Sequence, residues 1–439
     1  MPNLKRKISA LTAVESWSIQ KIVPPKSFSR AWIIWACAGL FYFYEMVLRA
    51  STGVMANDLM RDFSVASTSL GVLSSFYYYS YVALQIPCGV IVDRLGTRKV
   101  ITFSTLLCVI GSIIFAVSDV LVFAQLGRFL IGAGSACAFL SCLKIGSDWF
   151  LPAQFAIIAG LTNMMGTLGG MVSGPPFALL MNSYGWRNAT LILAAVGLGL
   201  ALLCWFVIKE RASKGGDDSL MPIMKGLRAI VRVPQNWIIG IVGGLMYVPV
   251  SAFCELWAIP YLMQKYQIAN DAASLASVMV YIGIAVGSPI VAKLSDLWHS
   301  RIRVIGLSAL SSAALFVVTL HIDALPFWGM LGLLFVVGML NSGQILCFAA
   351  IKETMPNAMS GTAVGFTNAL VMMSGIVFQP FLGALLDLGW NGDLTVEGAR
   401  LYDIDAYHIA MLAIPACLGL SCLLMKFVKE SYRVARVVE

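Results

Sequence analysis

Residues 89–99 read GVIVDRLGTRK, four charges within eleven residues, set between two long apolar runs. The run before, roughly 69–92, and the run after, roughly 100–118, each approach the ~20 apolar residues that a helix needs to cross a bilayer. A short charged loop between two spanning segments predicts a polytopic α-helical membrane protein. The rest of the chain agrees, with 59% of 439 residues hydrophobic, 12% charged and a mean hydropathy of +0.84. Soluble domains are about 25% charged.

Extending the count outward gives twelve segments, near 31–56, 69–92, 100–118, 120–144, 153–181, 187–208, 236–261, 272–294, 303–321, 325–351, 358–387 and 406–428. An even number returns both termini to one side. Lys and Arg concentrate in the tails and the even-to-odd connections, while the opposite connections hold only Arg61, Arg187, Lys265 and Arg400. Because cytosolic loops retain positive charge, both termini are expected in the cytosol, in a bacterial inner membrane. Residues 1–30 then form a cytosolic tail without the apolar core of a signal peptide, and 429–439 a second tail. The polar stretch ERASKGGDDS at 210–219 marks a cytosolic linker, 209–235, between six-helix bundles at 31–208 and 236–428.

The two bundles repeat each other. Trp32 returns as Trp237, Leu59 as Leu262, Asp93 as Asp296, GLTN at Gly160 as GFTN at Gly365, and Pro175 as Pro380, at offsets of 203 to 205 residues. One offset held across six helices implies duplication and a pseudo-twofold axis along the membrane normal.

Several functions are excluded at this level. The net charge of +8 follows from topology and does not point to nucleic acid. Ten cysteines fall in apolar runs without CxxC spacing, as small core residues and not disulfides or metal ligands. There is no GxxxxGK[ST] loop for ATP, no histidine cluster for a metal, and no serine elbow or paired carboxylates for catalysis. No enzyme activity, cofactor or metal is expected, and the chain is expected to be monomeric in its lipid bilayer.

The loop and two further motifs resemble the major facilitator superfamily. GVIVDRLGTRK matches that family's loop signature after helix two, RFLIGAG (Arg128 to Gly134, with Gly132) is similar to its helix-four signature, and GTLGGMVSGPP (Gly166 to Pro176) to its helix-five motif. The resemblance implies an all-α fold of twelve transmembrane helices in two pseudo-symmetric six-helix bundles, working by alternating access. Within the loop, Gly89 permits close helix approach and Asp93 can accept from a helix N-terminus or pair with a cation. Arg94, Arg98 and Lys99 stand at the interface, where they either gate or only anchor topology. With Gly96 and the second-half Asp296 and Arg301, these are the gating candidates; the second copy, AKLSDLWHSRIR, lacks the Asp-Arg pair.

Helix one holds the sharpest anomaly, FYFYEMVLRAS at 41–51. At about 1.5 Å per residue, Glu45 lies roughly 21 Å and Arg49 roughly 27 Å from Ala31, inside a core about 30 Å thick. Charges at that depth need compensation, from each other as a self-contained salt bridge or from a wet cavity. The run from Leu48 to Phe63 is similar to helix one of the superfamily's organic anion:cation symporter branch. That resemblance implies that Arg49, thirteen residues before Asp62, contacts a substrate carboxylate. The branch places Asp just before the Arg and a Glu in helix four, where this chain has Leu48 and Ser135, so proton coupling would fall to Glu45 or Glu255. Tyr78, Tyr81 and Gln85 share a face of helix two, and Asn163 and Asn368 are the repeated asparagines of GLTN and GFTN; each set either lines a site or packs helices. Arg128 either binds substrate or organises helix four against helix one.

The expected protein is a secondary active or facilitative transporter of a small carboxylate-bearing metabolite, such as an organic acid, amino acid or short peptide, with protons as a candidate second partner. The alternative is a proton-driven exporter of drugs or siderophores.

Overall fold

In hydrocarbon every backbone N–H and C=O must be satisfied within its own segment, so apolar runs of this length fold as helices. A computed structural model describes residues 28–430 other than 152–153, 211–220, 323–324, 357–358, 396–397 and 399, together with residue 432. Most of the expected tails at 1–30 and 429–439, and much of the linker, lie outside the described residues.

The elements in chain order are α1 (Phe28–Ala50), α2 (Ala56–Asp62), α3 (Ser67–Leu95), α4 (Thr97–Val117), α5 (Leu121–Ser135), α6 (Ala138–Trp149), α7 (Phe155–Val172), α8 (Pro175–Val207), α9 (Met221–Val231) and α10 (Pro234–Val248). There follow α11 (Ala258–Tyr266), α12 (Asn270–Leu297), α13 (Arg301–His321), α14 (Phe327–Asn341), α15 (Leu346–Thr354), α16 (Ser360–Leu388), α17 (Ile404–Met411) and α18 (Ala413–Leu424). Among the described residues ten stretches are long and apolar enough to cross a membrane, and the longest, Ile157–Val207, is two crossings divided at Gly185, where φ is +76°. Adding α3, whose tyrosines and serines lower its hydropathy, accounts for twelve. This is the all-α, twelve-helix membrane architecture, and it makes the chain a multi-pass membrane protein.

Six crossings are broken at places the hydropathy pattern does not reveal. The first breaks at Ser51–Gly53, the fourth at Ala136–Cys137, the fifth at Ser173–Gly174, the seventh in a π-helical segment at Pro249–Trp257, the tenth at Ser342–Ile345 and the twelfth at Leu412. The repeat offset of 205 carries Gly53 to Ala258, beside the π segment, and Ala136 to Asn341, beside the tenth-helix break. The duplication has thus kept these two pairs of irregularities, which in membrane helices are tolerated where they meet protein or line a cavity.

The halves close on each other toward the face opposite Phe28. The α3–α16 contact is the most extensive in the molecule. A Cβ at Gly71 would meet the Gln379 oxygen at 2.5 Å, and one at Gly383 would strike the Ser67 oxygen, so only glycine allows these backbones to touch. At the rim, Asp387 accepts from the Ser67 and Thr68 amides at 3.2 and 2.9 Å, from Thr68 Oγ1 and the Tyr402 hydroxyl at 2.5 Å each, and from Arg400 at 3.3 Å. A carboxylate of one half therefore caps the first turn of a helix from the other, where free amides favour an anion. Burial first, and then the bond to Asp387, push Tyr402 up to about 12, which keeps its phenol a donor. Toward the Phe28 face the halves separate. The bond from Asn368 to Gln85 at 2.8 Å is the last side-chain bond between them among the described residues, and beyond it a Cβ at Gly89, Gly361 or Gly365 would meet nothing within 4 Å. The structure is closed on the far face and open on the Phe28 face.

Asp387→Asn should weaken the far-face clasp, because an amide presents a donor to a row of donors. Losing about 1.4 kcal/mol would shift the balance of conformers roughly tenfold toward the far-face-open form. Double electron–electron resonance between spin labels at the rims of α3 and α16 measures this; an unchanged distance distribution would remove Asp387 from the clasp.

Candidate functional site

Below the clasp lie four buried charges, the only ones among the described residues: Glu45 (1% exposed), Arg49 (4%), Arg128 (1%) and Glu255 (1%). Arg49 ends α1 just before its break, and Glu255 stands in the π segment between α10 and α11. They are 206 residues apart, one more than the repeat offset, so the pair joins nearly equivalent positions across the pseudo-twofold axis. The breaks of the two helices touch, and a Cβ on Gly53 would meet the Glu255 carbonyl oxygen at 2.9 Å.

The Arg49 guanidinium grips Glu255 with two nitrogens, Nη2 to Oε1 at 2.8 Å and Nε to Oε2 at 3.3 Å. Nε makes the hydrogen bond and Nη2 the close ion pair, so the guanidinium faces the carboxylate side-on, the approach that suits Arg to a carboxylate. Nη2 also donates to the Tyr247 hydroxyl at 2.5 Å, and the Tyr78 hydroxyl donates to Glu255 Oε2. The rings of Tyr78 and Tyr247 lie 5.3 and 5.6 Å from the guanidinium carbon, adding cation–π attraction.

Two neighbours complete the arrangement. Tyr77 donates to Glu45 Oε2 at 2.8 Å. Arg128 donates to the Leu48 carbonyl at 2.9 Å and the Arg49 carbonyl at 3.5 Å, with its guanidinium 5.3 Å from the Tyr77 ring. Those carbonyls belong to the last turn of α1, which has no intrahelical partners, and a cation there is doubly favoured. Arg128 thus positions the residue that presents Arg49.

The self-contained Glu45–Arg49 bridge does not form. Tyr77 already satisfies Glu45, and the helix stops one residue after Arg49, so the guanidinium swings across to the carboxylate and phenols of the other half. Tyr81 is buried and stacks on Tyr77 at 5.7 Å, and Gln85 accepts from Asn368 while donating to the Ala136 carbonyl. Asn163 is not brought into this cluster; it is exposed on α7, its backbone oxygen accepting from Thr167. Gly132 and Gly134 let α5 lie against Tyr77 of α3 and Ser104 of α4. Tyr77, Tyr247 and Tyr281, whose buried hydroxyl has no partner, went unidentified in the sequence. The YYY run at 77–79 was a signal for the first, and Pro249, inside helix seven, for a break next to Tyr247.

The gating candidates cluster at the Phe28 face, each within its own half. Asp93 pairs with Lys144 at 3.0 Å, and Arg98 lies 4.1 Å above the Trp205 ring. In the second half Arg301 bridges Asp296 at 2.9 Å and Glu353 at 3.1 Å. Arg94 and Lys99 are exposed, and Gly96, with φ +82°, is covered by Glu210. The close helix approach expected at Gly89 is absent, because this face is open and a Cβ there would meet nothing.

The chain is similar to known proteins along most of its length. The model of the Major Facilitator Superfamily matches residues 34–378 and 252–433. A probable sulfoacetate transporter, SauU, of Cupriavidus necator is 27% identical over 40% of this chain, and the match spans only 41% of that relative's length. The hexuronate transporter of Bacillus subtilis is 22% identical over 79% of this chain and 87% of its own. The lysosomal dipeptide transporter MFSD1 of Pongo abelii is 22% identical over 80% of this chain and 77% of its own. Among solved structures, a bacterial homolog of the human lysosomal transporter Spinster, inward-facing and unoccupied, superposes with a TM-score of 0.74 at 16% identity, covering 91% of this chain and 97% of that one.

Proposed function

Since the chain belongs to the major facilitator superfamily, we propose that it is a secondary transporter moving a small carboxylate-bearing metabolite by alternating access, and not an enzyme. One observation carries the substrate class: a buried guanidinium between the two halves already pairs side-on with a carboxylate, that of Glu255. Such a pairing is selective for carboxylate over the uncharged or cationic head of a drug-like molecule. In this proposal Glu255 occupies the substrate's place in the empty carrier, and a substrate carboxylate takes it when the pair opens. Tyr78, Tyr81, Tyr247, Gln85 and Asn368 would contact the rest of the molecule, with Glu45 or Glu255 responding to protons. The named relatives that transport sulfoacetate, hexuronate and a dipeptide agree with a small acidic or carboxylate-bearing cargo. The charge asymmetry of the loops supports a cytosolic Phe28 face, with Asp93 and its neighbours, Asp296 and Arg301 acting as the gate on that side when it closes.

A thermal-shift screen of the purified protein tests the substrate class, because a ligand of the folded state raises its melting temperature by mass action. Carboxylates such as D-glucuronate, lactate and short peptides should stabilise it, and amphipathic cations should not. Stabilisation by the cations alone would transfer the protein to the drug-export alternative.

A further inference from the structure

Tyr78 has a counterpart in the second half. At the offset of 203 residues that carries Asp93 to Asp296, Tyr78 falls on Tyr281, and at the offset of 205 that carries Gly160 to Gly365, Gly170 falls on Gly375. The structure keeps both pairings. A Cβ on Gly375 would meet the Tyr78 ring at 2.5 Å, and one on Gly170 would meet Tyr281 Cζ at 2.8 Å, so each phenol crosses from its own half onto a glycine of the other. One turn away the backbones repeat the pattern. Gly71 lies against Gln379, and a Cβ on Gly174 would meet the Ser274 oxygen at 3.1 Å, with Ser274 and Gly174 equivalent to Gly71 and Gln379 under the same two offsets.

The two hydroxyls differ in what they find. Tyr78 donates to Glu255, whereas the hydroxyl of Tyr281, on a side chain only 5% exposed, is buried without a hydrogen-bond partner among the described residues. The residues opposite them give the reason. Nearly equivalent positions of the two halves hold an acid, Glu255, and a base, Arg49, and a guanidinium carries donors alone. A phenol placed to give its hydrogen to a carboxylate therefore meets one on the first side and a cation on the second. Glu255, Tyr247, Cys254 and Arg49 all act electrostatically on Tyr281, which sets it within the field of the ion pair. A buried hydroxyl left unbonded is a standing cost, and a ligand that brings an acceptor relieves it.

Resting on the carboxylate reading above, we infer that Tyr281 is a substrate-contacting residue: when a substrate carboxylate takes the place of Glu255 on Arg49, the Tyr281 hydroxyl donates to it, as Tyr78 donates to Glu255. The hydrogen of Tyr78 is already committed to Glu255, and that of Tyr281 is not. Each carboxylate of the loaded site then has its own phenol. The ligand thereby completes a pseudo-symmetry that the empty site, with one acid where two would fit, leaves unfinished. Gly170 backs the Tyr281 ring, so the donor stands in place before the ligand arrives and little ordering is needed on binding.

Isothermal titration calorimetry of the full-length protein with D-glucuronate, lactate and a dipeptide measures affinity, and thermal melting of the empty protein measures stability. Tyr281→Phe, which removes one oxygen, should weaken whichever probe binds the parent by about tenfold, the scale of one hydrogen bond to a charged group. Its melting temperature should stay level or rise, because the hydroxyl has no bond to lose in the empty protein. Tyr78→Phe should instead lower the melting temperature, since it takes a donor from the buried Glu255 carboxylate. Parental affinity in Tyr281→Phe would overturn the inference and leave the phenol as packing against Gly170. A fall in its melting temperature as large as that of Tyr78→Phe would overturn it too, by showing the hydroxyl already bonded in the empty protein. Either result leaves the carboxylate reading standing. If none of the three probes binds the parent, the reading and the inference fall together.

Discussion

Arg49→Gln should reduce carboxylate uptake into proteoliposomes by about 100-fold or more. Losing one partner of a buried, hydrogen-bonded charge pair costs roughly 2–5 kcal/mol, and each 1.4 kcal/mol is tenfold. The same substitution should destabilise the empty protein, because it leaves the Glu255 carboxyl at 1% exposure without its cation; breaking such a pair costs about 3–5 kcal/mol. The two effects separate in the double variant Arg49→Gln/Glu255→Gln, which removes both charges and should recover the melting temperature without recovering uptake. Arg49→Lys should fall between, since an ammonium keeps the charge but cannot fork across both carboxylate oxygens. A stable double variant that transports a carboxylate at the normal rate would remove Arg49 from the substrate site.

Arg49 was legible in the sequence because depth follows from helical rise, and a guanidinium at that depth demands a partner. The identity of the partner was less accessible. Glu255 stands one residue from the position equivalent to Arg49 under the 205-residue offset, so the duplication held the signal, but proximity on the chain favoured Glu45. Only the end of α1 and the π segment opposite it send the guanidinium across the axis, and hydropathy does not register a π turn inside an apolar run. Asn163 and Asn368 illustrate the converse. They are equivalent in sequence, yet Asn368 reaches Gln85 and Asn163 is exposed, since a repeat fixes position within each half and not the state in which the halves meet. The crossings themselves were readable to a few residues; the breaks in the first, fourth, fifth, seventh, tenth and twelfth were not, because a kink leaves composition unchanged.

The state in which the halves meet is set on the far face by glycine, and substitution there should have the second large effect. Alanine at Gly71 would place its Cβ 2.5 Å from the Gln379 oxygen and 2.6 Å from the Pro380 Cα, both backbone atoms that no rotamer change can move. Alanine at Gly383 would collide with the Ser67 oxygen in the same way. Within each half nothing comparable is disturbed, so Gly71→Ala/Gly383→Ala should fold and insert, yet fail to bring α3 and α16 together. Closure on this face would then be penalised by several kcal/mol, the scale of an overpacked interior, which shifts a two-state balance by a hundredfold or more. The protein should rest open on the far face and lose transport by at least tenfold, while keeping the Arg49 guanidinium that binds a carboxylate. A cysteine at Ser75, buried where its hydroxyl donates to the Gly375 carbonyl at 3.0 Å, reports on this directly. In a background stripped of reactive thiols, a membrane-impermeant maleimide added at the far face should label Ser75→Cys slowly in the parent and rapidly in the double alanine variant. Equal labelling, with transport intact, would mean that the glycine contact is incidental and that the Asp387 clasp alone closes this face.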